Sequence, residues 1–396
     1  MQLLALAARN VVAAAALLAA ATACAQTIKV GLISTYSGPE AKYGEQMERG
    51  MRLYMKHNAS LLPPGVNVEL VTRDDGGPNP DKAKQIAQEL ILRDKVNFLA
   101  GFVWTPNTMS VAPLITEAKV PSVIMNAAAS QNTMRSPYYV RVSFTEWQNG
   151  YPIGQWGAKR YKRAFTIVSD FSPGHDAEES FVKGFTEGGG EVIGKMRVPL
   201  PTADYSAFLQ RAKDAKPDAV YVFVPAGQKS TQVMKSFREL GLDKAGIKLI
   251  GSGNLTIDDE LPNMGDVPLG IVTSYHYSLA ADRAANKRFR ELFANDYGKS
   301  IPNMVTVAAW DGMDAIYAAI RAQGGRIEPD RTMEILRNYR NANSPRGPIS
   351  IDPETRDIVQ NIYIREVRQL AGNLANVEID TIANVKDPWK EFNKKK

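Results

Sequence analysis

The feature that most constrains this chain is an alternation of short apolar segments with amphipathic ones, and the alternation runs twice. Ile28-Lys29-Val30-Gly31-Leu32-Ile33 reads as a strand, Ser37-Gly38-Pro39 turns the chain, and Met47, Met51, Tyr54 and Met55 follow at helical spacing. Val66 to Val71 reads as a second strand. The turn Asp75-Gly76-Gly77-Pro78-Asn79-Pro80 then leads into a helix over Asp81–Arg93, with Ile86, Leu90 and Ile91 on one face. Phe98-Leu99-Ala100 is the third strand, a helix opens near Pro106, and Ser122 to Met125 is the fourth strand. The pattern restarts at Phe165-Thr166-Ile167-Val168. It continues through a helix over Ala177–Glu187, a strand about Val192, a helix over Tyr205–Lys213 and a strand over Ala219–Val224. A helix over Thr231–Leu240 and a strand at Leu249-Ile250 complete the second run. Repeated strand-helix units demand parallel sheets covered by helices on both faces. The predicted fold is therefore α/β, with two doubly wound parallel-sheet lobes that divide near Phe144-Thr145-Glu146.

Beyond Tyr277 the periodicity predicts helices over Arg283–Asp296 and Met304–Ala322, a shorter one near Met333, and late strands near Ile349 and Ile362. No linker there is long or Gly/Ser-rich enough to isolate a third domain. The chain is expected to cross back to the first lobe and finally to the second. Three crossings, at Ser143–Glu146, Tyr275–Ser278 and Ser344–Ser350, would form a hinge. This gives an N-terminal lobe of residues 27–145 plus 277–347, and a C-terminal lobe of 146–276 plus 348–396. Length agrees, since 396 residues exceed the ~250–300 at which single cores stop growing.

Residues 1–25 read as an export leader: Arg9 and the terminal amine supply positive charge, Val11 to Ala21 is apolar, and Ala23-Cys24-Ala25 offers a small-residue cleavage site. The apolar run is far short of the ~20 residues a membrane span needs. Ala21-Thr22-Ala23-Cys24 is also a loose lipoprotein signal, so a lipid anchor on Cys24 is the alternative to simple cleavage. Either way the expected destination is outside the cytoplasm, in the periplasm. Cys24 is the only cysteine, so cleavage after Ala25 leaves no disulfide. Lys and Arg number 48 against 42 Asp and Glu and are mixed along most of the chain; only Lys394-Lys395-Lys396 forms a basic block. That block reads as a solvated tail, and no basic-aromatic stripe suits nucleic acid.

In open parallel sheets ligands sit beyond the carboxyl ends of the strands. The segments there are Ser34-Thr35-Tyr36-Ser37-Gly38, Gly101-Phe102-Val103-Trp104-Thr105, Asn126-Ala127-Ala128-Ala129-Ser130, Asp170-Phe171-Ser172-Pro173-Gly174-His175 and Gly251-Ser252-Gly253-Asn254. Small residues that admit a close backbone alternate with aromatics that can stack on a guest, and few carry charge. That suits binding better than bond-breaking. Motifs of nucleophile elbows, P-loops, dinucleotide turns and zincins are missing, and His57, His175 and His276 have no metal-ligand spacing. No cofactor, metal or catalytic role is expected. Trp104 fits either the lobe core or the cleft, and its place after a strand-Gly turn favours the cleft. His276-Tyr277 fits hinge packing as well as ligand contact. Arg141 reads as a hinge ion pair before a ligand partner, Trp310 and the Met47, Met51, Met55 stripe as core, and Asp74-Asp75 as a solvated turn that caps the next helix.

These segments resemble the type I periplasmic solute-binding proteins of the branched-chain amino acid transporter group. Val30-Gly31-Leu32 leading to Tyr36-Ser37-Gly38, with Gly44 and Glu48-Arg49-Gly50, is similar to the family's opening motif. Gly101, Val120-Pro121 and Asn126-Ala127-Ala128 are similar to its first-lobe ligand loops, and Ser344-Pro345-Arg346-Gly347-Pro348 to its closing signature. The resemblance implies a monomer that clasps a small solute between its lobes and docks on the permease subunits of an ABC importer. In amino acid binders of this family the second loop carries a serine and the third an Ala-Ala-Thr. Here Thr105 stands near the serine, and Ala129 follows Ala127-Ala128 in place of threonine. Those binders also set a second-lobe carboxylate against the ammonium. The matching turn here has Asn254, with Asp258 and Asp259 several residues later. The aromatics Tyr36, Trp104, Phe171 and Tyr277, with His175 and His276, look more like the branch that binds benzoates and phenylpropanoids. The candidate ligand residues are these six with Ser37, Thr105, Asn126, Ala127, Ala128 and Asn254. An amino acid or amide ligand is the alternative, and a ligand-sensing ectodomain a more distant one.

Overall fold

The computed structural model describes residues 26–394; the expected leader, Cys24 included, lies outside the described residues. Where apolar residues run on without a polar break, both faces of the strand are covered. Phe98–Gly101 and Ala219–Phe223 are buried at every position, as strands inside a helix-covered parallel sheet must be. The first sheet contains β1 (Gln26–Ser34), β2 (Val66–Asp74), β3 (Phe98–Gly101), β4 (Ser122–Ile124) and β5 (Tyr139–Arg141). Its order is β2-β1-β3-β4-β5 and every pair is parallel. Helices α1 (Lys42–Asn58), α2 (Pro80–Leu92) and α3 (Thr105–Ala118) connect its first four strands.

After α4 (Glu146–Ala158) the winding repeats with β6 (Arg163–Ser169), α5 (Ser172–Glu187), β7 (Glu191–Val198), α6 (Ser206–Asp214) and β8 (Ala219–Phe223). It closes with α7 (Gln228–Glu239), β9 (Lys248–Ser252) and β10 (Val272–Tyr275). The order β7-β6-β8-β9-β10 is the first sheet's order over again. Strand alternation divides this lobe's core between two faces: Phe165, Ile167, Val220 and Val222 pack on one, and Ala164, Val168, Tyr221 and Phe223 on the other.

The chain then returns to the first lobe with α8 (Ala284–Tyr297), α9 (Met304–Ala322) and α10 (Pro329–Arg337). Helices α1 and α9 meet at Gly50, where an added Cβ would stand 2.2 Å from the Thr306 carbonyl oxygen and 2.9 Å from the Ala309 Cβ. Backbone cannot swing aside as a side chain can. Gly50→Ala is expected to lower the thermal midpoint by several degrees, consistent with an overpacking cost of about 1–3 kcal/mol; differential scanning calorimetry reads it. Met47 and Met51 lie in the same fully buried seam, and Trp310 packs edge-on against Tyr54 and Phe289.

The last segment joins the second sheet as β11 (Arg340–Asn341), β12 (Ile349–Ile351), β13 (Ile358–Leu370) and β14 (Asn373–Val385), all antiparallel, before α11 (Pro388–Phe392). Strand β11 falls within the 277–347 stretch expected in the N-terminal lobe yet pairs in the second sheet. The sequence reading missed β14 because that strand is largely exposed and shows no apolar run.

Residues 142–145 and 276–283 join the lobes, the third passage runs from α10 into β11, and buried arginines bind these segments and the 342–348 loop together. Arg346 pairs with Asp311 at 2.8 Å and donates to the Ser143 carbonyl at 3.0 Å and to Gln360 Oε1 at 3.0 Å. Arg365 donates to the Tyr277 carbonyl at 2.5 Å. Arg141 pairs with Asp357 at 2.7 Å and donates to the carbonyls of Ala127 and Ala129 at 2.9 and 2.8 Å. It is the hinge ion pair the sequence suggested, and it also fixes the loop after β4.

Candidate ligand-binding slot

The carboxyl ends of both sheets point at each other, so the loops that follow their strands share one gap. Gly101 has φ of +104°, and a Cβ there would lie 2.3 Å from the Ile33 carbonyl oxygen. This close turn directs the chain into Trp104, which precedes α3 in an extended conformation. Phe171 stands in the same relation to α5. Both rings line the gap, tilted against each other with their centroids 6.5 Å apart. Phe171 stacks on Phe223 at 6.1 Å, and Trp104 tilts against Tyr43 at 6.1 Å. Val103, Thr105, Asn126 and Ala128 complete the first-lobe wall, Phe144 and Glu146 the hinge end, and Pro173, Pro225 and Asn254 the second-lobe wall. None of the lining residues is a lysine or arginine. The slot they enclose is about 30 Å³, far below the ~300 Å³ of ordinary ligand sites. A ring enters only as the lobes part.

The indole is held from behind. Trp104 Nε1 donates to Thr35 Oγ1 at 2.9 Å, and Thr35 donates to Asp75 Oδ1 at 2.7 Å. Asn107 Nδ2 donates to the other Asp75 oxygen at 2.9 Å. Asp75 is fully buried, and desolvation raises its carboxyl although Thr35, Gly77 and Asn107 hydrogen-bond to it. The expectation of a solvated Asp74-Asp75 turn is corrected: only Asp74 reaches the surface, where it takes the N–H groups of Tyr36 and Gly76. Asp75 turns inward because strand alternation sends neighbours to opposite faces.

The structure brings Trp104, Thr105, Asn126, Ala128, Phe171 and Asn254 together at the slot. Ala127 lies beside them with its carbonyl taken by Arg141 and Asn132. The other candidates lie elsewhere. Tyr36 packs beside Gly44 on the outer side of α1, and Ser37 is exposed. His175 is partly exposed and paired with Asp170 at 2.7 Å. His276 and Tyr277 are buried in the hinge. His276 stacks on Phe144 at 4.9 Å, and burial together with Arg346 and Arg365 pushes its pKa well down, so it is neutral. Tyr277 donates to Asn286 Oδ1 at 2.9 Å. The residues the sequence reading missed are Tyr43, Phe144, Glu146, Phe223 and Pro225. Tyr43 was concealed by the regular stripe of α1. Glu146 was read as a lobe boundary although it is the first residue after the Thr145 cap of α4.

Glu146 is fully buried, and neither carboxyl oxygen has a hydrogen-bond partner of good geometry. Burial pushes its pKa well above the usual carboxylate range, while Asn149 and Ser252 beside it pull weakly the other way. Burial on the slot wall thus favours its protonated form.

Contacts across the gap hold the lobes shut. The Ala226 N–H donates to Tyr43 Oη at 2.9 Å, Lys229 pairs with Glu40 at 2.6 Å, and Lys42 pairs with Glu260. The Ser130 N–H donates to Asp176 Oδ2 at 2.8 Å. Burial, with Asp387 adding repulsion, lifts Asp176 to about 7, against about 3.9 in an unfolded chain. The folded protein therefore binds an extra proton between about pH 4 and 7, and the stability linked to this group falls as pH rises through that window. Asp176→Asn is expected to gain on the wild type in thermal midpoint between pH 5 and pH 8. A pH-independent difference between the two would count against this.

Residues 27–373 match the family model for periplasmic binding proteins. The chain belongs to that family. Leu/Ile/Val-binding protein homolog 6 of Brucella melitensis is 40% identical over 377 residues, spanning 94% of this chain and 95% of the relative. A solved ABC-transporter solute-binding protein of Rhodopseudomonas palustris BisB5, in complex with 3,4-dihydroxybenzoic acid, is 46% identical. Its TM-score is 0.88, with 92% of this chain and 99% of that one covered. A second R. palustris solute-binding protein, in complex with 4-hydroxybenzoate, is 42% identical with a TM-score of 0.88, over 91% and 98% of the chains. As a periplasmic binding protein the chain takes its two-lobed architecture from the family and its slot chemistry from the residues above. Among the described residues no helix is long and apolar enough to cross a membrane, and no cluster of His, Cys, Asp or Glu could hold a metal ion.

Proposed function

We propose that this protein captures an aromatic carboxylate between its lobes in the periplasm and delivers it, unchanged, to the permease of an ABC importer. The observation that carries this reading is the slot itself. Trp104 and Phe171 approach each other from opposite lobes, and around them are apolar side chains, the uncharged polar groups of Thr105, Asn126 and Asn254 and the buried carboxyl of Glu146, with no lysine or arginine. A flat ring stacks between such faces. Its carboxylate can be met by the free N–H groups that open α3, where the helix dipole favours an anion. The 3,4-dihydroxybenzoic acid and 4-hydroxybenzoate carried by the two solved relatives support the same ligand class.

Enclosure fits the energetics. Micromolar affinity needs about −8 kcal/mol. Spread over roughly ten heavy atoms, that is about −0.8 kcal/mol per atom, within the ceiling of about −1.5 for small ligands. Contact on one face of the ring would fall short of that. In this reading the lobes are residues 27–145 with 277–347 and 146–276 with 348–396, apart from the exchange of β11, and the protein works as a monomer.

The second reading, a branched-chain amino acid, draws on the Brucella relative's name. The test is calorimetric titration with benzoate, 4-hydroxybenzoate, leucine and glutamate. Binding of the aromatic acids, with recovery of intact ligand after incubation, is the expected result. Binding of leucine alone would overturn the proposal, and product formation would overturn the non-catalytic role.

A further inference from the structure

We infer that Glu146 is the specificity-determining residue of the slot, and that it selects aromatic acids bearing a ring hydroxyl over those without one. The inference rests on the aromatic-carboxylate reading and narrows it. Glu146 occupies the first turn of α4, directly after the hinge segment 142–145, and lines the slot. Both of its oxygens are buried without a partner. It is not alone in this. Asn149 Oδ1 and Nδ2, Ser252 Oγ and the Tyr221 hydroxyl are also buried and unpartnered. Asn149 and Ser252 border the Glu146 carboxyl.

More than about 90% of buried polar groups in folded proteins find partners, so two orphaned carboxyl oxygens on a side chain that lines a ligand slot mark where a guest supplies the missing atoms. The alternative filling, ordered water, is the one a ligand hydroxyl would displace. The chemistry of the guest follows. A carboxylic acid that keeps its proton both donates and accepts, and so does a phenol. The phenol O–H can donate to the carbonyl oxygen of Glu146 while the acid O–H donates to the phenol oxygen. Neither partner needs to ionise in a buried site. The ligand's carboxylate then belongs on the first-lobe wall, at the opening of α3, where no acidic side chain lines the slot.

The test compares the wild type with Glu146→Leu and Glu146→Gln in calorimetric titrations of benzoate, 4-hydroxybenzoate and 3,4-dihydroxybenzoate, with thermal unfolding of each variant alongside. A site built around a hydroxyl penalises the analogue lacking it, so wild-type preference for the hydroxylated acids should be at least about tenfold. Glu146→Leu should bring that ratio to about one, and Glu146→Gln should keep most of it, because an amide also donates and accepts. A ratio unmoved by Glu146→Leu, or equal wild-type affinity for benzoate and 4-hydroxybenzoate, overturns the role of Glu146 while leaving the aromatic-carboxylate reading intact. If Glu146→Leu does not fold, a Glu146→Gln protein that loses the preference overturns it as well. No wild-type binding of any of the three acids overturns both.

Discussion

Arg346→Met should destabilise the protein by about 3–5 kcal/mol, the usual result of breaking one side of a buried ion pair. The guanidinium is fully buried and serves four acceptors: Asp311, the carbonyls of Val142 and Ser143, and Gln360. Methionine fills similar space but removes the guanidinium from all four, leaving Asp311 only the Ser344 hydroxyl and the Ser143 carbonyl only the Gln360 amide. Asp311 is the most costly of these. Burial lifts its carboxyl to about 6 even with Arg346 beside it, and without the cation it would take up a proton to avoid a lone buried charge. The deficit should therefore be smaller at pH 5 than at pH 8. Adding Asp311→Asn to the variant should recover part of it. Urea unfolding at the two pH values measures both effects, and a loss below about 1 kcal/mol would mean that the pair contributes little beyond its own desolvation.

Trp104→Ala should carry the largest effect on binding. A central aromatic anchor in a desolvated pocket typically contributes 2 kcal/mol or more, which corresponds to about thirtyfold in Kd. The indole does two things here. It forms one wall of the slot opposite Phe171, and it ties that wall through Thr35 to buried Asp75. Thr35→Val separates them, since it keeps the ring and removes its hydrogen-bond acceptor. We expect that variant to lose affinity by several-fold only, about 1 kcal/mol. Titration of 4-hydroxybenzoate into both proteins checks the order; equal losses would mean that the tether matters more than the stacking surface.

Much of this fold was legible in the sequence because parallel strands buried on both faces leave continuous apolar runs, as in Phe98–Gly101 and Ala219–Phe223. Short strands at the hinge were not. Tyr139–Arg141 and Val272–Tyr275 mix polar residues (Arg141, Thr273 and Ser274) into segments of three and four, so neither stands out as an apolar run. The site divided along a similar line. Trp104 and Phe171 could be found because each lies in the short turn between the end of a strand and the start of a helix. His276 and Tyr277 also follow a strand end, that of β10, yet no helix opens there: the chain crosses to the other lobe and buries both in the hinge. Glu146 gave no signal of its own. A single acid after a capping threonine is ordinary in sequence, and only three-dimensional burial raises its pKa.

The seam of α1 and α9 at Gly50 has a consequence for how the protein is made. Those helices are separated by more than two hundred residues, and the whole second winding, β6 to β10, lies between them. A polypeptide emerging amino-terminus first cannot finish its first lobe until almost everything else has been synthesised. During that interval the early strands lack the helix that seals them, while the later lobe already has most of its own parts. A nascent chain therefore carries an unfinished first lobe until α9 has been added.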